Sequence, residues 1–215
     1  MRELSLHLLD LMENAVEAGA TRLDVTIEES QSADSLTLEV RDNGRGMPPE
    51  LARSAMDPFV TTRKTRHLGM GLALTNQAAL RCDGRLELTS QVGQGTAVRA
   101  TFRHGHIDRA PLGDVVGALL AILLSQRPVD LVYRHRVEDR CFALDTREVR
   151  QLLGPVPLTH PLAREWLVAT LREGETELRL GMDDPSGSST THRDPLPKGA
   201  VSAPHGARAE VITPC

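Results

Sequence analysis

The residues best placed to do chemistry are three Gly-x-Gly pairs, Gly44/Gly46, Gly69/Gly71 and Gly93/Gly95, and a polar stripe ahead of them. The stripe, Glu3, His7, Asp10, Asn14 and Glu17, recurs at helical spacing. With 17 glycines in 215 residues a chance pair is expected, so the setting of each pair decides what it can do. In DNGRGM the glycines follow a strand pattern, in HLGMGLAL they open a helix, and in VGQG they turn a hairpin. Glycine accepts positive φ and lets backbone approach a ligand closely. A helix start adds free N–H groups and the positive end of the dipole, which together favour a phosphate. HLGMGLAL is therefore the candidate phosphate cradle, with Gly69, Met70, Gly71 and Leu72 in it. The chain has no GxxxxGK[ST] and no GxGxxG inside a βαβ unit, which excludes a Walker-type loop and disfavours a dinucleotide fold.

Positioning such residues requires a scaffold, and the periodicity supplies one. Leu4, Leu8, Leu11 and Ala15, extended by Met12 and Val16, make the apolar face of a first helix whose other face is the polar stripe. Taken alone, such a stripe is a solvated surface. TRLDVTIEE and DSLTLEVRD alternate with period two and pair across SQSA. MPPELARSAM reads as a short helix, DPFVTTRKTRHLG as a lid, and MGLALTNQAALRC as a helix ended by Asp83-Gly84. RLELTSQ and TAVRATFRH form a hairpin around VGQG. This order predicts an α+β, two-layer α/β sandwich with a mostly antiparallel, mixed sheet and helices on one face.

Residues 1–106 are thus read as one domain. From Ile107 the pattern changes to an apolar helix (PLGDVVGALLAILLSQ), strands VDLVYRHRV and RCFAL, and helices REVRQLL and HPLAREWLVATLREG. Residues 107–181 read as a small α+β annex suited to docking a partner. Residues 182–215, rich in Pro, Gly, Ser, Thr and Asp, read as a disordered tail.

Composition narrows the function class. Net charge is −4, the pI is near 6.1 and aromatics make up 2% of residues, which argues against nucleic acid as a partner. The apolar run from Val115 to Leu124 is too short to span a bilayer, and Arg2, Glu3, His7 and Asp10 interrupt any signal-like core. Cys82, Cys141 and Cys215 stand far apart with no CxxC, so the expected home is the reducing cytoplasm. Only Lys64 and Lys198 are lysine among 25 basic residues, which singles out Lys64 in the lid. His104 and His106, two apart with Asp108 beyond, are expected at a solvated strand end, with a metal site as the alternative, and Trp166 in the core.

The boxes MENAVEAGA, DNGRGM, DPFVTTR, GMGLAL and GQGTAV, in this order and spacing, resemble the ATP-binding domain of the GHKL superfamily. That group contains DNA gyrase, the heat-shock chaperone of the ninety-kilodalton class, histidine kinases and the mismatch-repair ATPase. The resemblance runs to about His104 and implies the sandwich reached above, with ATP and Mg²⁺ as cofactors. It implies that Asn14 ligates Mg²⁺ through its amide oxygen, a hard donor of the kind this ion takes. It further implies that Asp42 accepts from the adenine amino group, with Gly44, Gly46 and Met47 passing close to the base. Thr96 would support Asp42 or a bridging water. In the lid, Lys64 or Arg63 would meet the β- and γ-phosphates, as a point charge or a fork.

One departure from the family bears on mechanism. ATP-hydrolysing members of the superfamily carry Glu four residues before the metal-binding Asn, and here that place holds Asp10, the catalytic candidate. Asp is shorter by about 1.3–1.5 Å, so hydrolysis is expected to be slow. Glu13 adjoins Asn14 but projects about 100° around the helix. With the helix opening near Arg2, the layout resembles the small anti-sigma serine kinases, which bind ATP and phosphorylate a partner protein. The expectation is an ATP-dependent regulator that phosphorylates or otherwise controls a partner protein which the residues do not identify. The alternatives are a slow ATPase and a non-catalytic, ATP-sensing adaptor. The oligomeric state is open, with a homodimer among the options.

Overall fold

The computed structural model describes residues 2–55, 71–125, 127 and 129–180. The expected lid, with Arg63, Lys64, Gly69 and Met70, and the expected tail lie outside the described residues. The first helix, α1, covers Leu4–Glu17, followed by β1 (Arg22–Ser30), β2 (Ser35–Asp42), α2 (Pro49–Ser54), α3 (Gly71–Arg81), β3 (Arg85–Gln91) and β4 (Gly95–Arg103). The remainder is α4 (Val115–Leu123), β5 (Asp130–Val137), β6 (Arg140–Asp145), α5 (Thr146–Leu153) and α6 (Pro161–Leu180).

The strands form one six-stranded sheet in the order β3-β4-β2-β1-β5-β6. All neighbours are antiparallel except β1 and β5, which run parallel. The period-two pattern explains the layering. Leu23, Val25 and Ile27 of β1 are fully buried on one face, in register with Val40 and Leu38 of β2 and with Leu131 and Tyr133 of β5. This face shares a core with α1, α3, α4 and α6. The intervening residues carry charges to the other face, where Arg99 lies between Glu28 and Glu39 at 3.5 and 3.3 Å. Such exposed pairs contribute little to stability.

The described residues after Ile107 share the sheet and core with those before it. β5 extends the sheet beside β1, and α4 packs on α1. The link after β4 also closes the start of α1. Leu4 and Ser5 donate their N–H groups to the carbonyls of Pro111 and Leu112, satisfying donors that a helix start leaves free. On the far side, Glu138 accepts from the backbone N–H groups of Gln31 and Ser32 in the β1–β2 turn.

α6 is longer than its sequence pattern, continuing past Gly174 to Leu180. A Cβ at Gly174 would sit 2.3 Å from the Phe142 ring, so this helix lies close on β6 where only hydrogen fits. The next residue, Glu175, enters a buried polar cluster. His135, 0% exposed, is held between two carboxylates, Nε2 at 3.0 Å from Glu29 and Nδ1 at 3.0 Å from Glu175. Tyr133 donates to Glu175 at 2.6 Å, and His104 reaches the second oxygen of Glu29 at 3.3 Å. The cluster ties β1, β5 and α6 together, and its two anions push the His135 pKa up to about 9 against the opposing effect of burial.

Candidate functional site

The polar stripe of α1 does not face open water along its length. α3 runs back along it, so that Gly71 lies against Asp10 and Asn14. A Cβ at Gly71 would meet the Asp10 Cβ at 3.1 Å and the Asn14 amide nitrogen at 3.3 Å. Both polar side chains are half-buried. Among the described residues, neither the Asp10 carboxylate nor the Asn14 amide has a hydrogen-bond partner. Burial, reinforced by the charge of Glu13, pushes the Asp10 carboxyl above the usual range. Glu13 itself is exposed, turned away from Asn14 as the helical geometry requires.

A second group is assembled where β2 ends. Asp42 Oδ1 accepts from the Gly44 N–H at 2.7 Å. Burial raises the Asp42 carboxyl, while the backbone N–H groups of Gly44 and Thr96 pull it back down. Thr96 stands opposite Asp42 in the β2–β4 ladder and thus supports it through backbone, its hydroxyl being turned to Ser90 at 2.9 Å. Two glycines make this crossing possible. A Cβ at Gly46 (φ +63) would come within 1.9 Å of the Gln91 carbonyl, and one at Gly95 (φ +96) within 1.9 Å of the Asp42 carbonyl. Met47 donates its N–H to Ser90 Oγ at 2.8 Å, pinning the loop to the hairpin.

The end of α1 joins the two groups. Arg45 donates its N–H to the Ala18 carbonyl at 3.0 Å, and Gly44 packs on Ala18 so closely that a Cβ would meet it at 3.0 Å. Asn14 and Ala18 are one turn apart. The carboxylate of Asp42 and the stripe of Asp10 and Asn14 therefore border the same region, with Gly71 and Leu72 at its third side. Arg63, Lys64, Gly69 and Met70 belong to the segment outside the described residues. A separate cleft of about 100 Å³ lies at the other end of α1 and α3, lined by Leu4, His7, Leu74, Cys82, Phe102 and Asp108. Among the described residues no group of three or more His, Cys, Asp or Glu side chains is arranged to hold a metal ion. None of the helices among the described residues is long and apolar enough to cross a membrane.

Three residues were not fully legible as part of this arrangement. Ser90 is one of many serines, and only the cross-strand register shows that it touches Met47, Gly95 and Thr96 at once. His7, on the stripe, reads either as solvated or as a residue standing behind the site; it is 3% exposed and meets Thr75 of α3 at 3.0 Å. Thr75, fully buried, sits in an otherwise ordinary helix pattern. Trp166 packs against the core as expected, and His104 is engaged by Glu29.

The family described as histidine kinase-, DNA gyrase B- and HSP90-like ATPase matches residues 2–106. A putative sensor protein of Shewanella frigidimarina is 28% identical over 103 residues, covering 47% of this chain and 16% of its own length. The tetrathionate sensor histidine kinase TtrS of Salmonella typhimurium is 34% identical over 101 residues, covering 45% of this chain and 17% of its own. This chain therefore spans about a sixth of the length of these two relatives. Among solved structures, the mycobacterial sensor histidine kinase MprB aligns at 24% identity with a TM-score of 0.36, over 45% of this chain and 66% of that one. The matched segment holds all the elements that border the site, α1, the β2 end, α3 and the β3–β4 hairpin. Residues 2–106 belong to the histidine kinase-, DNA gyrase B- and HSP90-like ATPases, the GHKL superfamily.

Proposed function

We propose that this chain binds Mg²⁺–ATP between α1, the end of β2 and the start of α3, and acts as a regulatory protein kinase on a partner protein. The observation that carries this reading is the pairing of Asp10 and Asn14, half-buried and without a hydrogen-bond partner among the described residues, against the glycine that opens α3. The residues fit the cofactor. Asn14 offers a hard oxygen, Gly71 leaves room that a Cβ would fill, and Asp42 presents a fixed carboxylate oxygen for an amino group. Bound Mg²⁺ would supply charge neutralisation and orientation of the phosphates. Asn14 would be its protein ligand. Asp42 would select adenine by accepting from its amino group. Leu72, at the helix start, would turn its N–H toward a phosphate. Residues 107–181 would carry the docking surface for the partner, and the cytoplasm would be the site of action.

A second reading, a slow ATPase, rests on Asp10. Its raised pKa moves it toward the range of a base working near neutrality, although its short side chain limits its reach to a water. A single experiment separates the readings. The chain is titrated calorimetrically with ATP with and without Mg²⁺, then incubated with γ-labelled ATP and cell extract. A labelled protein supports the kinase, released phosphate alone supports the ATPase, and binding with neither supports a sensing adaptor. Absence of any Mg²⁺-dependent affinity for adenine nucleotides sinks all three.

A further inference from the structure

We infer that His7 and Thr75 are positioning residues that set the affinity of the site for the phosphate end of its nucleotide, an inference that rests on the reading above. The Thr75 hydroxyl donates to the Gly71 carbonyl at 2.7 Å, the backbone bond that a helical threonine commonly makes one turn back. Its single proton is thereby used. The 3.0 Å contact with His7 Nδ1 must then be a hydrogen bond donated by the ring, which fixes the Nδ1–H tautomer. Burial holds the ring neutral by pushing the His7 pKa down to about 4, in keeping with that tautomer. A chain of two bonds thus runs from α1 through Thr75 to the Gly71 carbonyl.

That carbonyl is an informative place to hold. The C=O of Gly71 and the N–H of Leu72 share one rigid peptide plane and point in opposite directions. Tethering the oxygen therefore fixes where the N–H of Leu72, the second residue of α3, aims. The same chain sets how closely α3 approaches Asp10 and Asn14, since His7 is one helical turn before Asp10 on the same face. Nothing in it touches Asp42, Gly44 or Thr96. The pair therefore acts on the triphosphate end and leaves the adenine end alone.

The test uses the isosteric Thr75→Val variant of the full chain, with Mg²⁺–ATP affinity measured by calorimetry and adenosine affinity by ligand-observed NMR. Losing a buried hydrogen-bond relay should weaken Mg²⁺–ATP binding about tenfold while adenosine binding stays within about twofold. Thr75→Ser, which keeps the hydroxyl, should restore ATP affinity. Unchanged ATP affinity in folded Thr75→Val protein overturns the inference, as does a parallel loss of ATP and adenosine. Should Thr75→Val fail to fold by circular dichroism, His7→Leu and His7→Asn replace it. Asn keeps a donor where Nδ1 stands and should retain the affinity that Leu loses, and equal affinities overturn the inference. Wild-type protein that binds no Mg²⁺–ATP defeats the functional reading and this inference together, whereas a normal wild type beside a normal Thr75→Val defeats only the inference.

Discussion

The cluster around His135 makes stability fall as pH rises from 6.5, and the size of the fall can be worked out. In the folded protein the ring sits between Glu29 of β1 and Glu175 of α6, with Tyr133 on Glu175 and His104 on Glu29, and its pKa is about 9. In the unfolded chain it returns to about 6.5. Below pH 6.5 both states carry the proton and the stabilisation is complete. Between 6.5 and 9 the unfolded state loses the proton first, so stability declines by up to about 1.4 kcal/mol per pH unit. Across the window the loss is about 3 kcal/mol, a large share of the stability of a typical domain. Cys82 and Tyr133, both pushed upward by burial, act with the same sign but only above about pH 8.5, which leaves pH 6.5–8 to His135. The assay is denaturant unfolding at half-unit pH steps, for wild type and Glu175→Gln. Wild type should lose stability steadily over pH 6.5–8, and the variant, with one flanking anion removed, should show a shallower slope. A level curve for wild type, or equal slopes in the two proteins, would refute the reasoning.

Other perturbations follow from the same geometry. On the acid side, buried His7, with its pKa lowered to about 4, takes a proton in the unfolded chain first as pH drops below 6.5. Its contribution is then lost as pH falls toward 4, and His7→Asn should flatten that limb in the same unfolding series. Under the proposed adenine contact, Asp42→Asn replaces an acceptor oxygen that would face the base's amino group, and should lower Mg²⁺–ATP affinity in calorimetry by about 10- to 100-fold with little change in melting temperature. Gly95→Ala would drive a Cβ to 1.9 Å from the Asp42 carbonyl at φ +96, so it should destabilise the fold by more than about 2 kcal/mol in denaturant unfolding. Ser90→Ala leaves the Met47 N–H without its partner and should cost about 1–2 kcal/mol by the same measurement.

Much of this was legible in the residues. Local patterns report local structure, and period-two alternation placed β1 and β2 within a residue of their observed bounds, while Asp83-Gly84 marked the end of α3. The five motif boxes carry the family, which the match over residues 2–106 bears out, because each box needs a residue type that its backbone position demands. Gly46 and Gly95 illustrate that demand, since both have positive φ and both would strike a carbonyl with any side chain. Long-range pairing is another matter. Nothing in VDLVYRHRV says that it will lie parallel to a strand more than a hundred residues earlier, because either face of an apolar strand can extend a sheet. His135 and Glu175, forty residues apart, look like a strand residue and a surface helix residue until α6 lies across β5. Helical periodicity decides that His7, Asp10 and Asn14 share a face. Only the packing of α3 decides that His7 is buried against Thr75, that Asp10 and Asn14 face a glycine, and that Glu13 beside them stays in water. Sequence determined which side chains stand together, because that follows from bond geometry within one element; tertiary structure decided what they face, because that depends on which distant surface buries the most apolar area against them.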